Sequence, residues 1–495
     1  MLTLGIDSGT QSTKTVVLDL ETGAIIASAQ QAYDLIGGLP PGHLEQDPQV
    51  WIDAVDATVR ACLEKIGGRR GEVAAIGVSG QQHGLVVLDK SGKVVRPAKL
   101  WCDTSTAPQC EQFAKEFGGV KGMTELAGNA ILPGYTAPKI LWLKQNEPQN
   151  FAAADCFLLP HDYINFWLTG VKRMEFGDAS GTGLLDIRTR AWSKPLIDFI
   201  DPKVHACLPP LGNSRDAIGA LREDLRTAWG LAKSPVVSAG GGDNMMGAIG
   251  TGNVRDGVVT ASFGTSGTLY SFSEKPIVDP EGEVAAFCDS TGAWMPLVCT
   301  MNVTVATEQV RALFGLDVEQ LNAAVASAPA GSEGVLFLPY LNGERTPNLP
   351  NGCGVFHGLN TTNMKPENLA RAAMEGATMG LAYGLGRFRE LGVKPSEIRL
   401  TGGGSKSAVW RQLAADVFGV PTVCLTSSEG AALGAAVQAA WAQSGADSIS
   451  DLAGRLVVLD EKTRCTPDAK RAALYAGLLK KQTSLTRTLH AGGQL

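Results

Sequence analysis

Residues 2–18 read Leu-Thr-Leu-Gly-Ile-Asp-Ser-Gly-Thr-Gln-Ser-Thr-Lys-Thr-Val-Val-Leu. Leu2, Leu4 and Ile6 alternate with Thr3, Gly5 and Asp7, which is the period of a strand. A turn at Ser8-Gly9-Thr10-Gln11 follows, then Thr15-Val16-Val17-Leu18, then a second turn at Glu21-Thr22-Gly23 before Ala24-Ile25-Ile26. Short strands joined by Gly-containing turns predict an antiparallel meander. The pattern returns later. Val258 to Phe263 leads into Gly264-Thr265-Ser266-Gly267, and Thr268 to Phe272 leads out. The two Gly-Thr turns are 264 − 9 = 255 residues apart, about half of the 495-residue chain. This spacing predicts a degenerate two-fold repeat.

Between the two copies, helices alternate with strands. Asp47-Pro48 supplies an N-cap and a first-turn proline. Trp51, Val55, Val59, Cys62 and Ile66 then recur at helical spacing until Gly67-Gly68. Ala74 to Val78 reads as a buried strand that runs into the polar loop Gly80-Gln81-Gln82-His83-Gly84. Val236 to Ala239 leads into Gly240-Gly241-Gly242-Asp243-Asn244, and Ile398 to Thr401 leads into Gly402-Gly403-Gly404-Ser405. Helices are predicted over 407–418 and 431–441. The order is that of an α/β protein, with a boundary near residue 245.

Composition narrows the function. Hydrophobic residues at 44% and charged residues at 19% give a folded chain, and a net charge of −6 makes a broad nucleic-acid-binding face improbable. No apolar run is long enough to cross a membrane. The start, Met-Leu-Thr-Leu-Gly-Ile-Asp, lacks a basic stretch and a cleavage site. Ten cysteines without a C-x-x-C speak against a disulfide framework or a structural zinc site. A cytoplasmic location is expected. Glycine stands out at 59 of 495, clustered at the turns already quoted. Such clusters allow a backbone to approach a ligand. There is no G-x-x-x-x-G-K-[ST], no G-x-G-x-x-G between strand and helix, and no G-x-S-x-G, which removes three large enzyme classes.

Several residues carry possible chemistry. Asp7, beside the Gly9-Thr10 turn, is placed to hold Mg²⁺ near a bound phosphate, or else to brace the turn. Asp243, after three glycines, reads either as a general base for a hydroxyl or as a helix N-cap; a plain cap needs no glycines before it. Gln82-His83 sits at a strand end, where α/β sheets bind ligands, and both side chains can hydrogen-bond sugar hydroxyls. Asp103, in Trp101-Cys102-Asp103, offers either a hydroxyl contact or a cap. Thr401-Gly402-Gly403-Gly404 offers a flat backbone for a purine.

Taken in order, Asp7…Gly9-Thr10, Gly242-Asp243, Gly264-Thr265-Ser266-Gly267, Thr401–Gly404 and Glu429-Gly430-Ala431-Ala432-Leu433-Gly434-Ala435-Ala436 resemble the nucleotide site of the actin, Hsp70 and sugar-kinase superfamily. Within it the chain is similar to the FGGY carbohydrate kinases. Gly134-Tyr135-Thr136-Ala137-Pro138-Lys139-Ile140-Leu141-Trp142-Leu143, Phe337 to Pro347, and Gly354 to Leu359 with Leu369 to Gly376 match that family as well. The resemblance covers about residues 2–445. It implies an α/β fold of two ribonuclease-H-like lobes around a central cleft. The expected organisation is a sugar-binding lobe at 1–245, an ATP-binding lobe at 246–445 and a C-terminal tail at 446–495. It implies ATP as donor with Mg²⁺. Gly9, Thr10, Thr13 and Lys14 form a first phosphate segment, Gly264, Thr265 and Ser266 a second, and Gly402, Gly403 and Gly404 the adenosine segment. Asp243 is the expected base, with Asp7 and Asp243 near the metal. Gln82, His83, Asp103, Asp243 and Asn244 are the expected sugar contacts.

The sugar loop Ser79-Gly80-Gln81-Gln82-His83-Gly84 is similar to that of the members that phosphorylate D-xylulose, which implies D-xylulose 5-phosphate as product. Two positions depart from the family pattern: Ser105 stands where many members have Arg, and Gln82 where bacterial members often have Met. D-ribulose and other ketoses or polyols therefore remain open. A small-molecule sugar and ATP are the expected partners, without nucleic acid or membrane, and a homodimer is compatible with the family. An actin- or chaperone-type ATPase is the distant alternative. Only 495 − 436 = 59 residues follow the last nucleotide motif, too few for a peptide-binding module with its lid.

Overall fold

The opening hairpin forms as its alternation predicts. β1 (Leu2–Ser8) pairs antiparallel with β2 (Ser12–Asp19), and β2 with β3 (Ile25–Ala32). The computed structural model of the chain describes residues 1–445 and 448–495. Ala446 and Asp447, where the expected C-terminal tail begins, lie outside the described residues. The chain divides into two compact units. The first comprises Met1–Arg255, Ser273–Met295 and Glu429–Val457; the second comprises Asp256–Phe272, Pro296–Ser428 and Val458–Leu495.

In the first unit α1 (Pro48–Ile66) starts at Asp47, whose carboxylate accepts from the Gln49 N–H, and stops at Gly67 with φ 52°. Its apolar stripe, Trp51, Val55, Val59 and Cys62, packs with Leu2, Leu4 and Ile6 into one core. β4 (Val73–Gly80) lies parallel to β1 and ends with it, so Asp7 faces Ser79 and Ser8 faces Gly80. The helices α2 (Thr136–Asn146), α3 (Pro160–Thr169) and α4 (Phe176–Ser180) follow. β5 (Ala217–Ala220) and β6 (Val236–Ser238) complete a sheet of order β5-β6-β4-β1-β2-β3, with β6 parallel to β4. Gly241–Gly242 also pairs with the end of β4, and α5 (Asp243–Gly250) starts there.

The second unit repeats this plan. β7 (Val258–Phe263) pairs antiparallel with β8 (Gly267–Ser271), and β8 with β9 (Trp294–Thr300). After α6 (Pro366–Glu390), β10 (Glu397–Thr401) returns parallel to β7. α7 (Ala408–Phe418), capped by Ser407, leads to β11 (Thr422–Leu425), parallel to β10. The order β9-β8-β7-β10-β11 thus matches β3-β2-β1-β4-β6 strand for strand. The repeat predicted from the two Gly-Thr turns is present, and each turn joins the first two strands of its unit. Each unit has the ribonuclease-H-like order.

The chain then returns to the first unit as α8 (Gly430–Ser444). β12 (Leu459–Cys465) and α9 (Ala469–Ala491) belong to the second, where α9 anchors on α6 through the Tyr475 hydroxyl, 2.7 Å from Glu375 Oε1. In the first unit α8 lies directly on backbone. A Cβ on Gly5 would stand 1.9 Å from the Ala432 carbonyl oxygen, and one on Gly77 2.0 Å from that of Ala435. Between α5 and α8 the same holds for Gly250 against the Gly430 carbonyl, 1.7 Å, and Gly434 against that of Met246, 1.8 Å. These four glycines let α8 sit on the sheet on one side and carry α5 on the other.

A side chain in this seam has nowhere to go, since one wall is backbone. Gly434→Val is expected to cost about 3 kcal/mol, read as a shift of the urea midpoint. Gly386→Ala in α6, where a Cβ would meet nothing within 4 Å, should be neutral or stabilise by up to about 1 kcal/mol.

Candidate active site

Asp7 ends β1 with its Oδ1 accepting from Ser79 Oγ at 2.8 Å. It braces no turn. The Gly9-Thr10 turn is held by other groups: Tyr33 donates to the Gly9 carbonyl (2.7 Å), Gln46 to the Thr10 carbonyl (2.7 Å) and the Trp101 indole to Thr10 Oγ1 (2.9 Å). The Thr10 hydroxyl itself donates to Gln81. Thr13 is fully buried with its hydroxyl on Ser8. Lys14 pairs with Glu429, 2.8 Å away, at the foot of α8. The turn is thus fixed in place by side chains from the residue after β3, the Gln46 segment and the Trp101 loop, and Gln11 is its exposed residue.

The three glycines before Asp243 have steric causes. A Cβ on Gly240 would meet the Val78 carbonyl at 2.6 Å; on Gly241, Ser290 Oγ at 2.3 Å; on Gly242, Gln82 Cγ at 2.6 Å and Asp178 Oδ1 at 2.9 Å. Gln438 of α8 fixes the strip, accepting from the Gly240 N–H (2.8 Å) and donating to its carbonyl (2.9 Å). Asp243 is then the first residue of α5 rather than its cap, a place taken by Gly242. Its Oδ1 accepts from the Asn244 N–H (2.7 Å) and from Asn244 Nδ2 (3.0 Å), and Asn244 Nδ2 also donates to Gln82 Oε1 (2.8 Å). Gln82, Asp243 and Asn244 therefore come together as expected. Burial and the nearby charge of Asp7, with a smaller push from Asp178, raise the Asp243 carboxyl to about 7. Burial also raises Asp7, against the pull of Ser79 and Lys14.

His83 takes φ 65°. Its carbonyl accepts from Lys139 Nζ (2.7 Å) and Thr136 Oγ1 (3.1 Å), its ring stacks on Tyr135 at 4.9 Å, and Nδ1 lies 2.7 Å from the Gly181 carbonyl. A carbonyl beside Nδ1 sets the tautomer with the proton there and the lone pair on Nε2. Thr136 and Lys139 of the 134–143 stretch thus hold the His83 backbone. Lys139 is fully buried, and burial lowers its ammonium to about 7.

Asp103 is placed otherwise than as a sugar contact. It is fully buried, accepting from the Leu44 N–H (2.9 Å) and Lys99 (3.0 Å) on one oxygen and from the Ser105 N–H (3.0 Å) and hydroxyl (2.5 Å) on the other. His43, Glu45 and Asp103 form the three-residue cluster with metal-ligand spacing among the described residues. The Lys99 ammonium fills it, 3.1 Å from Glu45 and 3.0 Å from Asp103.

In the second unit the Gly264-Thr265 turn is pinned by the N–H groups of Thr304 and Val303, each 3.0 Å from a turn carbonyl. Gly402 has φ 83°, and a Cβ there would strike the Phe263 backbone at 2.7 Å. Gly403 is exposed, and a Cβ there would meet nothing within 4 Å. Gly404 is buried against Phe263 and Trp410. The strand-to-helix turn thus offers one open stretch of backbone at Gly403.

Two family models match the chain. The model of the FGGY carbohydrate kinase N-terminal domain matches residues 2–250, and that of the C-terminal domain residues 259–443. The chain belongs to the FGGY family of carbohydrate kinases. It is 43% identical over 478 residues to a xylulose kinase of Haemophilus influenzae, covering 95% of this chain and 97% of that protein. It superimposes on "a xyloylose kinase" from Brucella ovis with a TM-score of 0.92 at 30% identity, over 99% and 100% of the two chains. A gluconate kinase from Lactobacillus acidophilus gives the same TM-score at 28% identity, over 99% and 98%. Shape alone therefore does not select the sugar. No helix among the described residues is long and apolar enough to cross a membrane.

The raised Asp243 carboxyl costs stability. Unfolded, it ionises near the ordinary value of 3.8; folded, near 7. Its penalty is absent below the lower value, grows between the two and is complete above the upper. Asp243→Asn should therefore melt at a higher temperature than the parent at pH 8 and lose that advantage at pH 4, measured by differential scanning calorimetry.

Proposed function

We propose that this kinase transfers the γ-phosphate of ATP to the C5 hydroxyl of D-xylulose, with Asp243 as general base. The observation that carries the reading is the Asp243 carboxylate. It is walled in, raised toward neutral pH and held by Asn244, which also holds Gln82. A base with such a pKa matches proton removal from an alcohol at physiological pH. Gln82 and Asn244 supply hydroxyl contacts beside it, and His83, next to Gln82 in the loop, is a further candidate. Asp103 contributes through the Trp101–Ser105 loop, whose indole also holds Thr10.

In the reaction the C5 oxygen attacks the γ-phosphorus as its proton passes to Asp243. The bond to the bridging oxygen breaks and ADP leaves with that electron pair. In the second unit Gly402–Gly404 is the candidate surface for adenosine and Gly264–Ser266 a candidate phosphate segment; in the first unit Gly9–Thr10 is another. Asp7 and Asp243 are hard oxygen donors whose charges oppose one another, a set that suits Mg²⁺. When bound, the ion neutralises charge on the phosphates.

The sequence of the sugar loop and the xylulose kinases among the relatives favour D-xylulose; the gluconate kinase likeness keeps a second sugar in the test. ADP release should be followed with Mg·ATP and D-xylulose, D-ribulose, L-ribulose, L-xylulose, glycerol, D-gluconate or no sugar. D-Xylulose should lead by about tenfold or more in kcat/KM, a margin within reach of a few hydroxyl contacts. Asp243→Ala should lose roughly two to four decades of kcat. A different leading sugar would overturn the substrate, and equal release without sugar would overturn the kinase reading.

A further inference from the structure

Beneath the site lies a buried charged group that the mechanism above does not use. His161, from the first turn of α3, places Nδ1 2.6 Å from Asp178 Oδ2 and Nε2 3.0 Å from Asp162 Oδ1. All three are essentially inaccessible. Burial opposes a charge on the imidazole, but the two carboxylates outweigh it and keep the ring protonated well above its usual range. Asp178 sits in α4, which Glu175 caps by accepting from the Gly177 and Asp178 N–H groups. Glu175 in turn is held by Ser214 and Ser290. The residue closing α4, Gly181, gives its carbonyl to His83.

One oxygen of this group is unaccounted for. Asp178 Oδ1 is buried and has no hydrogen bond of good geometry. It lies beside Gly242 and the Gln82 side chain: a Cβ on Gly242 would meet Asp178 Oδ1 at 2.9 Å and Gln82 Cδ at 3.0 Å. A buried carboxylate oxygen in that place repels an amide oxygen and attracts an amide NH₂. It therefore selects one of the two orientations of the Gln82 amide. In that orientation Nε2 turns inward, where it also meets Met245 Sδ at 3.2 Å, and Oε1 turns to Asn244 Nδ2 at 2.8 Å. Asn244 Nδ2 then donates to Asp243 as well.

We propose that Asp178, locked by His161, is a positioning residue that fixes the Gln82 amide and, through Asn244, the placement of the base Asp243. The inference rests on the reading of Asp243 as base. It makes α3 and α4 part of the site although neither is expected to touch the sugar.

A double-mutant cycle tests it. Asp178→Asn keeps the shape of the side chain but can turn its own NH₂ toward Gln82. It should lower kcat/KM for the preferred sugar about 10- to 100-fold, the scale on which removing the partner that orients a site residue acts, and leave KM for ATP unchanged. In an Asn244→Ala background, where the relay is already cut, the same change should cost no more than about threefold. His161→Asn, whose Nδ2 can stand in for Nδ1, should retain most of the activity that His161→Ala loses. Independent, multiplying losses would overturn the proposal, as would equal effects on both substrates. If Asp178→Asn does not fold, the two His161 variants carry the same comparison. A crystal structure of a folded variant supplies a readout without turnover: the Gln82–Asn244 contact should be lost in Asp178→Asn, and its persistence would overturn the proposal. The cycle uses whichever sugar the wild type prefers, so a change of sugar defeats the substrate reading alone, whereas an active enzyme without coupling defeats this inference alone.

Discussion

The close seat of α8 on backbone is the constraint on which the first unit depends. Gly5, Gly77, Gly250 and Gly434 remove the side chains that would hold α8 away from β1, β4 and α5. The approach brings Gln438 within reach of the Gly240 backbone and so fixes the strip ahead of Asp243. It also brings Glu429 to Lys14, next to Asp7 across the β1–β2 ladder. A single helix from late in the chain therefore holds both the strip ahead of Asp243 and the Lys14 side of the Gly9-Thr10 turn. The stretch Glu429–Ala436, which resembles a nucleotide motif, acts in this unit chiefly through what it lacks, namely bulk.

The sheets were legible in the sequence because strand alternation and Gly-containing turns are local signals. Leu2, Leu4 and Ile6 gave β1, and the second Gly-Thr turn gave its counterpart β7. The caps at Asp47, Gly67 and Ser407 lie where local chemistry puts them. The return of α8 to the first unit was not legible, because the pairing of Gly5 with Ala432 is a contact between residues far apart in sequence. Within the site, the grouping of Gln82, Asp243 and Asn244 followed from the family pattern. The contributions of His161, Asp178 and Lys139 did not. A lone buried His or Lys gives no signal of its partner, and each finds its partner only through tertiary packing. Asp103 shows the opposite error: a polar residue in a promising motif whose acceptors are consumed inside the protein.

Charge in the first unit is arranged against stability and toward chemistry. Asp243 stands near Asp7 and above Asp178, and nothing in its own hydrogen bonds is cationic. Several other buried charges have a partner of opposite sign, whereas Glu344, like Asp243, is raised to about 7 by burial. Lys99 lies among Glu45 and Asp103, Arg96 against Glu45, and Arg371 with Glu375 beneath Tyr475. A carboxylate left uncompensated amid such pairing is the pattern of a functional site.

As the proposed base, Asp243 must give up its proton near neutrality before it can take one from the sugar. The pH dependence of kcat/KM for the preferred sugar, measured from pH 5.5 to 9 in the wild type, tests it most directly. The account predicts a single-proton acid limb with its midpoint near 7, since this parameter reports the free enzyme. A profile flat down to pH 5.5 would contradict it, because Asp243 would then be an ordinary carboxylate rather than a base held ready by burial and by Asp7.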